Sequence, residues 1–258
     1  MDFWGKTDKG KVRKQNQDVF ATYHNESANI LTLVICDGMG GAKAGNVASS
    51  LAAEAFISEL NRAVKVGDCI EALSSHLSGA VIKANRAVFS KSSNDAECSG
   101  MGTTLVAAVI SGDHAVFANV GDSRAYHIYD GAIQQITKDH SVVEDLVARG
   151  DISRQEAKSH PNKNLITRAL GASTPEVPDI FDTALSESDL ILLCSDGVSN
   201  LMSDQELLEE CLESGDVVSV CDNIVSCALE RGAPDNVTVL LYCHRNEPSK
   251  EEVGNGQQ

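Results

Sequence analysis

The run from Leu31 to Gly45, LTLVICDGMGGAKAG, constrains this chain more than any other segment. An apolar stretch suited to a buried strand delivers a carboxylate, Asp37, directly into a glycine turn that opens a helix-like stretch. Glycines carry no Cβ, so the backbone can bend sharply there and bring carbonyl oxygens close to whatever Asp37 holds. A carboxylate beside such carbonyls suits a hard cation. The rival for a strand, glycine turn and helix is a phosphate or dinucleotide loop, but Gly38, Gly40, Gly41 and Gly45 do not give G-x-G-x-x-G spacing. Taken alone, the segment still admits a plain structural turn.

Further carboxylates recur in the same setting. Asp196 follows the apolar run DLILLC and precedes Gly197, and Asp235 stands just before Asn236 and the run VTVLLYC. Asp18 closes RKQNQD ahead of Val19 and Phe20, and Asp122 lies in NVGDSR between two β-type runs. An aspartate beside Gly or Asn is ordinary turn chemistry. Several at strand ends are another matter, because clustered carboxylates repel and raise one another's pKa unless a divalent ion neutralises them.

These residues fall within an ordered set of motifs: RKQNQD at 13–18, CDGMGG at 36–41, SGMGTT at 99–104, NVGDSR at 119–124, TKDHS at 137–141, HPNKNLITRALG at 160–171, LCSDGV at 193–198 and PDNVTV at 234–239. In that order, over more than nine-tenths of the chain, the set resembles the bacterial branch of the metal-dependent type 2C protein serine/threonine phosphatases. The resemblance implies an α+β fold, an α/β/β/α sandwich of two mainly antiparallel sheets flanked by helices, with a metal centre at one end.

The residues lead separately to the same architecture. Strand patterns cover 30–36, 103–111, 114–120, 124–129, 133–136, 189–194 and 236–243, with Asp130-Gly131 as a hairpin turn. Helical spacing marks 45–60, about 68–90, 204–212 and 216–231, and Ser203 with Glu206 gives a capping-box pattern. Helices before and after a block of antiparallel strands imply stacked sheets with helices outside. Ser141 with Glu144 and Ser153 with Glu156 mark two short helices joined around Gly150. By resemblance this stretch, about 140–165, is a flap beside the active site, in which His160 is a candidate for substrate contact and the Asp139-His140 pair is structural.

At 258 residues and 42% apolar composition, the chain is expected to form one domain over 1–245, followed by a disordered polar tail at 246–258. A net charge of −16 argues against nucleic acid, whose binding is driven by Lys and Arg. No apolar run reaches membrane-spanning length, and the N-terminus lacks a signal-peptide core, so a cytoplasmic monomer is expected. The eight cysteines include no C-x-x-C pair, and none has the Arg six positions on that a thiol phosphatase needs. The G-K-T at 5–7 lacks the upstream glycine of a P-loop.

Carboxylates and a carbonyl suit Mg2+ or Mn2+ better than zinc. Carried over position by position, the resemblance implies that Asp37 bridges two ions and the Gly38 carbonyl binds one. Asp196 and Asp235 complete one shell, Asp18 reaches the second ion largely through water, and Asp122 with Asp196 can take a third. It further implies direct hydrolysis of phosphoserine and phosphothreonine without a phosphoenzyme, in opposition to a cognate kinase. By its place in RKQNQD the resemblance makes Arg13 the expected phosphate clamp, a role that suits a guanidinium, which can donate two parallel hydrogen bonds to phosphoryl oxygens. A surface arginine in a basic stretch is the alternative reading of that residue. Thr104 and Asn119 are expected to support the centre, Arg124 and Arg168 to make structural pairs, and Gln17, often acidic in relatives, to stand behind the metal ligands. Two positions depart from the family: Met39 and Ala42 stand where relatives carry a histidine, and neither can protonate a leaving alkoxide. A phosphoesterase for a small metabolite and an inactive binding module are the alternatives to a protein phosphatase.

Overall fold

The computed structural model describes residues 2–40 and 44–245. Ala42 and the tail from residue 246 lie outside the described residues. In chain order, strands β1 (Phe3–Asp8), β2 (Asp18–Asn25) and β3 (Ile30–Met39) lead into helices α1 (Ala44–Ala63) and α2 (Ile70–Asn94). A two-residue β4 (Gly102–Thr103) precedes β5 (Leu105–Ser111), β6 (His114–Val120), β7 (Arg124–Tyr129) and β8 (Ala132–Gln135). Helices α3 (Val142–Ala148) and α4 (Arg154–Ser159) come next, then β9 (Asp179–Ala184) and β10 (Leu190–Cys194). The single-turn α5 (Asp196–Ser199), α6 (Asp204–Glu213), α7 (Val217–Glu230) and β11 (Val237–Cys243) complete the described elements.

Two antiparallel sheets result, in the orders β1-β11-β10-β7-β8 and β2-β3-β5-β6-β9, with β4 paired to β3. Strand β3 shows why the layers stack as they do. Successive side chains point to opposite faces, so Val34 and Cys36 join Phe56 of α1 and Leu77 of α2 in one apolar layer. Leu33 and Ile35 point the other way and meet Leu193 of β10 and Leu240 of β11 between the sheets. Leu192 and Leu241 in turn pack outward under Ile224 of α7. A strand buried on both faces has to read as a continuous apolar run. The α/β/β/α sandwich follows.

Three strands depart from the sequence reading. β1 carries Gly5 at mid-strand because a Cβ there would lie 2.6 Å from the Phe20 ring, and β2 and β9 are sheet edges that expose Tyr23, His24 and Asp182. The strand expected over 103–111 breaks at Thr104, whose N–H donates to the Asp37 carbonyl at 2.9 Å. The two short helices form as expected, with Ser141 and Ser153 as N-caps and Gly150 at φ +77°. Only Ser153 completes a capping box, because Glu144 is drawn instead to Arg154 at 3.0 Å.

Candidate metal centre

Asp18 and Asp37 are register partners across β2 and β3, so the ladder itself sets two carboxylates side by side. Asp37 is fixed through its backbone: its N–H donates to Thr104 Oγ1 at 3.0 Å, and its carbonyl accepts from Thr103 Oγ1 at 2.9 Å. Its side chain is left to the cleft. Burial, then Asp18, Asp196, Asp122 and Asp235, push its carboxyl well above the ordinary range. Asp18 is buried, and its Oδ2 accepts from Thr238 Oγ1 at 2.6 Å and Ser195 Oγ at 2.8 Å. Its Oδ1 is buried with no partner.

The other sheet brings the remaining groups. Asp196 opens α5 where β10 ends. Its Oδ2 accepts from Asn200 Nδ2 at 3.0 Å, and its Oδ1 is a second buried oxygen without a partner. Burial, with Asp122 and Asp235 nearby, pushes its carboxyl up to about 8. Asp122, in the turn between β6 and β7, is pushed up to about 6 by burial and then by Asp139. Asp235 precedes β11; its Oδ1 accepts from the Asn236 N–H, and its Oδ2 accepts from Arg13 Nη2 at 2.6 Å. That bond leaves the other guanidinium donors of Arg13 uncommitted to Asp235. Gly38 is wedged: a Cβ on it would lie 2.1 Å from the Gly45 carbonyl oxygen and 2.7 Å from that of Gln17.

Together these residues line one cleft of about 650 Å3, with Arg13, Asp37, Gly38, Asp122, Asp196 and Asp235 on its walls. Asp18 lies behind the wall with its free oxygen. Met39, Asn164 and Ile166 also face the cleft, the last two bringing the segment after α4 to its edge. His160 is not among the lining residues, and its Nδ1 is taken by the Asn162 N–H at 3.1 Å. Arg124 binds Asp139 through Nε at 3.0 Å and Nη2 at 2.7 Å, and Arg168 reaches Glu176 at 2.8 Å and Asp179 at 2.7 Å.

The donor set fits a hard divalent ion. All the candidate side chains offer oxygen, and two of those oxygens are already dehydrated and lack a donor, an expensive state unless a cation arrives. Among the described residues no three His, Cys, Asp or Glu side chains are preassembled at ion-binding spacing. An ion must therefore draw them inward or fill its shell with water.

Several supporting residues escaped the sequence reading. Ser195 and Thr238 hold Asp18. Asn236 ties three loops: its Oδ1 accepts from the Gln17 N–H at 2.8 Å, and its Nδ2 donates to the carbonyls of Lys9 at 2.8 Å and Gln15 at 3.0 Å. The available signal was position, since each flanks a candidate aspartate or shares its strand end.

The chain matches the family described as Protein phosphatase 2C over residues 9–238. It is 37% identical over 237 residues to the serine/threonine phosphatase Stp of Listeria monocytogenes, covering 92% of this chain and 93% of that protein. The crystal structure of the serine/threonine phosphatase Stp1 from Staphylococcus aureus superposes with a TM-score of 0.89 at 35% identity, covering 95% of this chain and 96% of that one. The catalytic domain of the phosphatase PstP in complex with two manganese ions gives 0.80 at 35% identity, over 93% and 97% of the two chains.

Proposed function

The chain belongs to the protein phosphatase 2C family and is a serine/threonine phosphatase, and from that premise we propose its reaction, its metal set and its substrate class. The substrates are proteins bearing phosphoserine or phosphothreonine, made by a serine/threonine kinase that this enzyme opposes in the cytoplasm, where it acts as a monomer. The catalytic domain spans residues 1–245, with the α3–α4 segment, about 140–165, as its flap. Asp37 would be shared by two Mg2+ or Mn2+ ions, and the Gly38 carbonyl would hold one of them. Asp196 and Asp235 would serve one ion, Asp18 would support the other largely through water, and Asp122 with Asp196 would hold a third. When bound, such ions acidify water and neutralise phosphoryl charge.

The protein's own groups do the rest. Arg13, held by Asp235 at the cleft wall, turns its remaining N–H groups to the phosphoryl oxygens. Thr103 and Thr104 fix the Asp37 backbone, so its side chain enters the cleft from an anchored peptide. Water attacks phosphorus directly, the bond from phosphorus to the Ser or Thr oxygen breaks, and that oxygen takes a proton. No Ser, Cys or His is among the described residues lining the cleft, which agrees with a path lacking a phosphoserine, phosphocysteine or phosphohistidine intermediate. Met39 lines the cleft as well and cannot supply the proton.

The observation that carries this reading is the convergence of carboxylates from separate segments on one cleft, with a buried oxygen lacking a donor on Asp196 at its wall and another on Asp18 behind it. Phosphopeptide turnover measured with chelator and then with restored Mn2+ tests it. Undiminished turnover in the chelated protein overturns it.

A further inference from the structure

One histidine holds both ends of the α3–α4 segment and the Asp122 turn together. His140 is buried, at 8% exposure. Its Nδ1 accepts from the Gly121 N–H at 3.0 Å, and its own N–H donates to the Gly121 carbonyl at 2.9 Å. The Nε2 side of the ring lies between Arg168 Nη1 at 2.9 Å and Asp179 Oδ2 at 3.2 Å. Arg168 keeps Asp179 in place through Oδ1 at 2.7 Å. The His140 carbonyl accepts from the Thr167 N–H at 2.8 Å, next to the pairing of Ser141 with Ile166, so the segment closes on this residue.

Gly121 is thus held at both its N–H and its carbonyl, with Asn119 Nδ2 adding a third contact at 3.2 Å. Its φ is +113°, and a Cβ there would lie 2.6 Å from Thr104 Cγ2. The turn cannot move toward Thr104 and is tethered to His140 on the other side. Asp122 is the next residue, and its direction into the cleft is set by that peptide.

We propose that His140 is the positioning residue for the Asp122 carboxylate and couples the α3–α4 segment to it. The inference rests on the reading that Asp122 holds a divalent ion. A shift of the segment against the core would move the Gly121 peptide and with it the Asp122 oxygens. Occupation of the adjoining cleft by a phosphoprotein and the affinity of the Asp122 ion would then depend on each other.

The test uses three variants of the whole protein. His140→Leu removes the Nδ1 acceptor. His140→Asn keeps an oxygen acceptor near the Nδ1 position, and His140→Gln moves it to the Nε2 side. Mn2+ is titrated calorimetrically into each, and kcat is measured on a phosphopeptide and an aryl phosphate. The expected result is that Leu and Gln weaken the lowest-affinity Mn2+ site by about tenfold or more and lower phosphopeptide turnover selectively, while Asn recovers most of both. Should the Leu variant not fold, the Asn–Gln contrast decides alone. Equal Mn2+ isotherms in the Asn and Gln proteins, or equal losses on both substrates, leave His140 a packing residue and overturn the proposal. Asp122→Ala in parallel separates the two levels. If it abolishes the weak site while the His140 variants leave it intact, only this inference fails; if it leaves the isotherm unchanged, the ion at Asp122 fails and the inference with it.

Discussion

The two ends of strand β10 obey opposite rules. At its start, Asp189 Oδ2 accepts from the Ser186 N–H at 2.9 Å and pairs with buried His127 Nε2 at 2.8 Å, while His127 Nδ1 faces Thr183. Nearby, Tyr242 Oη and His244 Nδ1 share a hydrogen bond at 3.0 Å, and of the described buried side-chain atoms at this end His244 Nε2 alone lacks a partner. At the other end, Asp196 is one of several half-buried or buried carboxylates, and Asp196 Oδ1 and Asp18 Oδ1 are buried without a donor. The first arrangement is self-satisfied and closes the sandwich. The second holds like charges in a dehydrated place, and its stability is completed only from outside. A buried acid can serve either end; what separates them is whether the fold supplies the donor.

The sharpest way to break this contrast is Asp37→Asn. It should lower kcat about 10³-fold by removing an anionic ligand, while the metal-free protein melts no lower than the parent because a source of repulsion has gone. A fully active variant would remove Asp37 from its bridging place. Next in size, Asp122→Ala should reduce phosphopeptide turnover about 10²-fold yet change aryl-phosphate turnover little. A phenolate leaves without needing the proton that a serine alkoxide does. Equal losses on both substrates would make Asp122 a shaper of its turn only. Arg13→Ala should raise KM about tenfold, and Arg13→Lys should recover part of that, since one ammonium cannot form the same fork. Unchanged KM in both returns Arg13 to the surface.

Two smaller effects sharpen the comparison from the stability side. The Asp196 and Asp122 carboxyls are raised above their ordinary value, to about 8 and about 6. In the metal-free protein the fold therefore favours their protonated forms, and the stability linked to them is full at low pH and lost as pH rises through those values. The melting temperature with chelator should fall between about pH 5 and about pH 8, and added Mn2+ should restore more at the upper end. A flat profile would mean that the carboxylates are better solvated than their burial implies. At the opposite end, Asp189→Leu strands the His127 and Ser186 donors and should cost about 2 kcal/mol, roughly 5 °C, with turnover per folded molecule unchanged.

What the sequence disclosed follows the same division. β6 and β7 begin and end where alternation and the NVGDSR turn place them, because both strands are central and apolar. β1, β2 and β9 were hidden because an edge strand needs only one apolar face, and DIFDTA or DVFATYHN can satisfy that without a continuous pattern. The candidate aspartates were legible because each interrupts an apolar run or a turn with a charge that a core would reject. Ser195, Thr238 and Asn236 were not. A serine or threonine in a strand has an ordinary reading, and only the approach of Asp18 from a distant part of the chain gives these hydroxyls their purpose. His140 likewise read only as half of a structural Asp139-His140 pair until the Gly121 peptide was seen against its ring.

Strand β11 lies inside its sheet with the edge strand β1 on one side and β10 on the other, and Asp235 and Asn236 stand at its head. On a ribosome, then, the N-terminal strand waits for a partner that is translated more than two hundred residues later. Until that strand arrives, Asp18 lacks Thr238, Arg13 lacks Asp235, and the backbone at Lys9, Gln15 and Gln17 lacks the Asn236 side chain. A chain that stops short of β11 lacks Asp235, Asn236 and Thr238, however well its first helices have packed. With the proposed site, such a chain is expected to show no turnover until its last strand has been made.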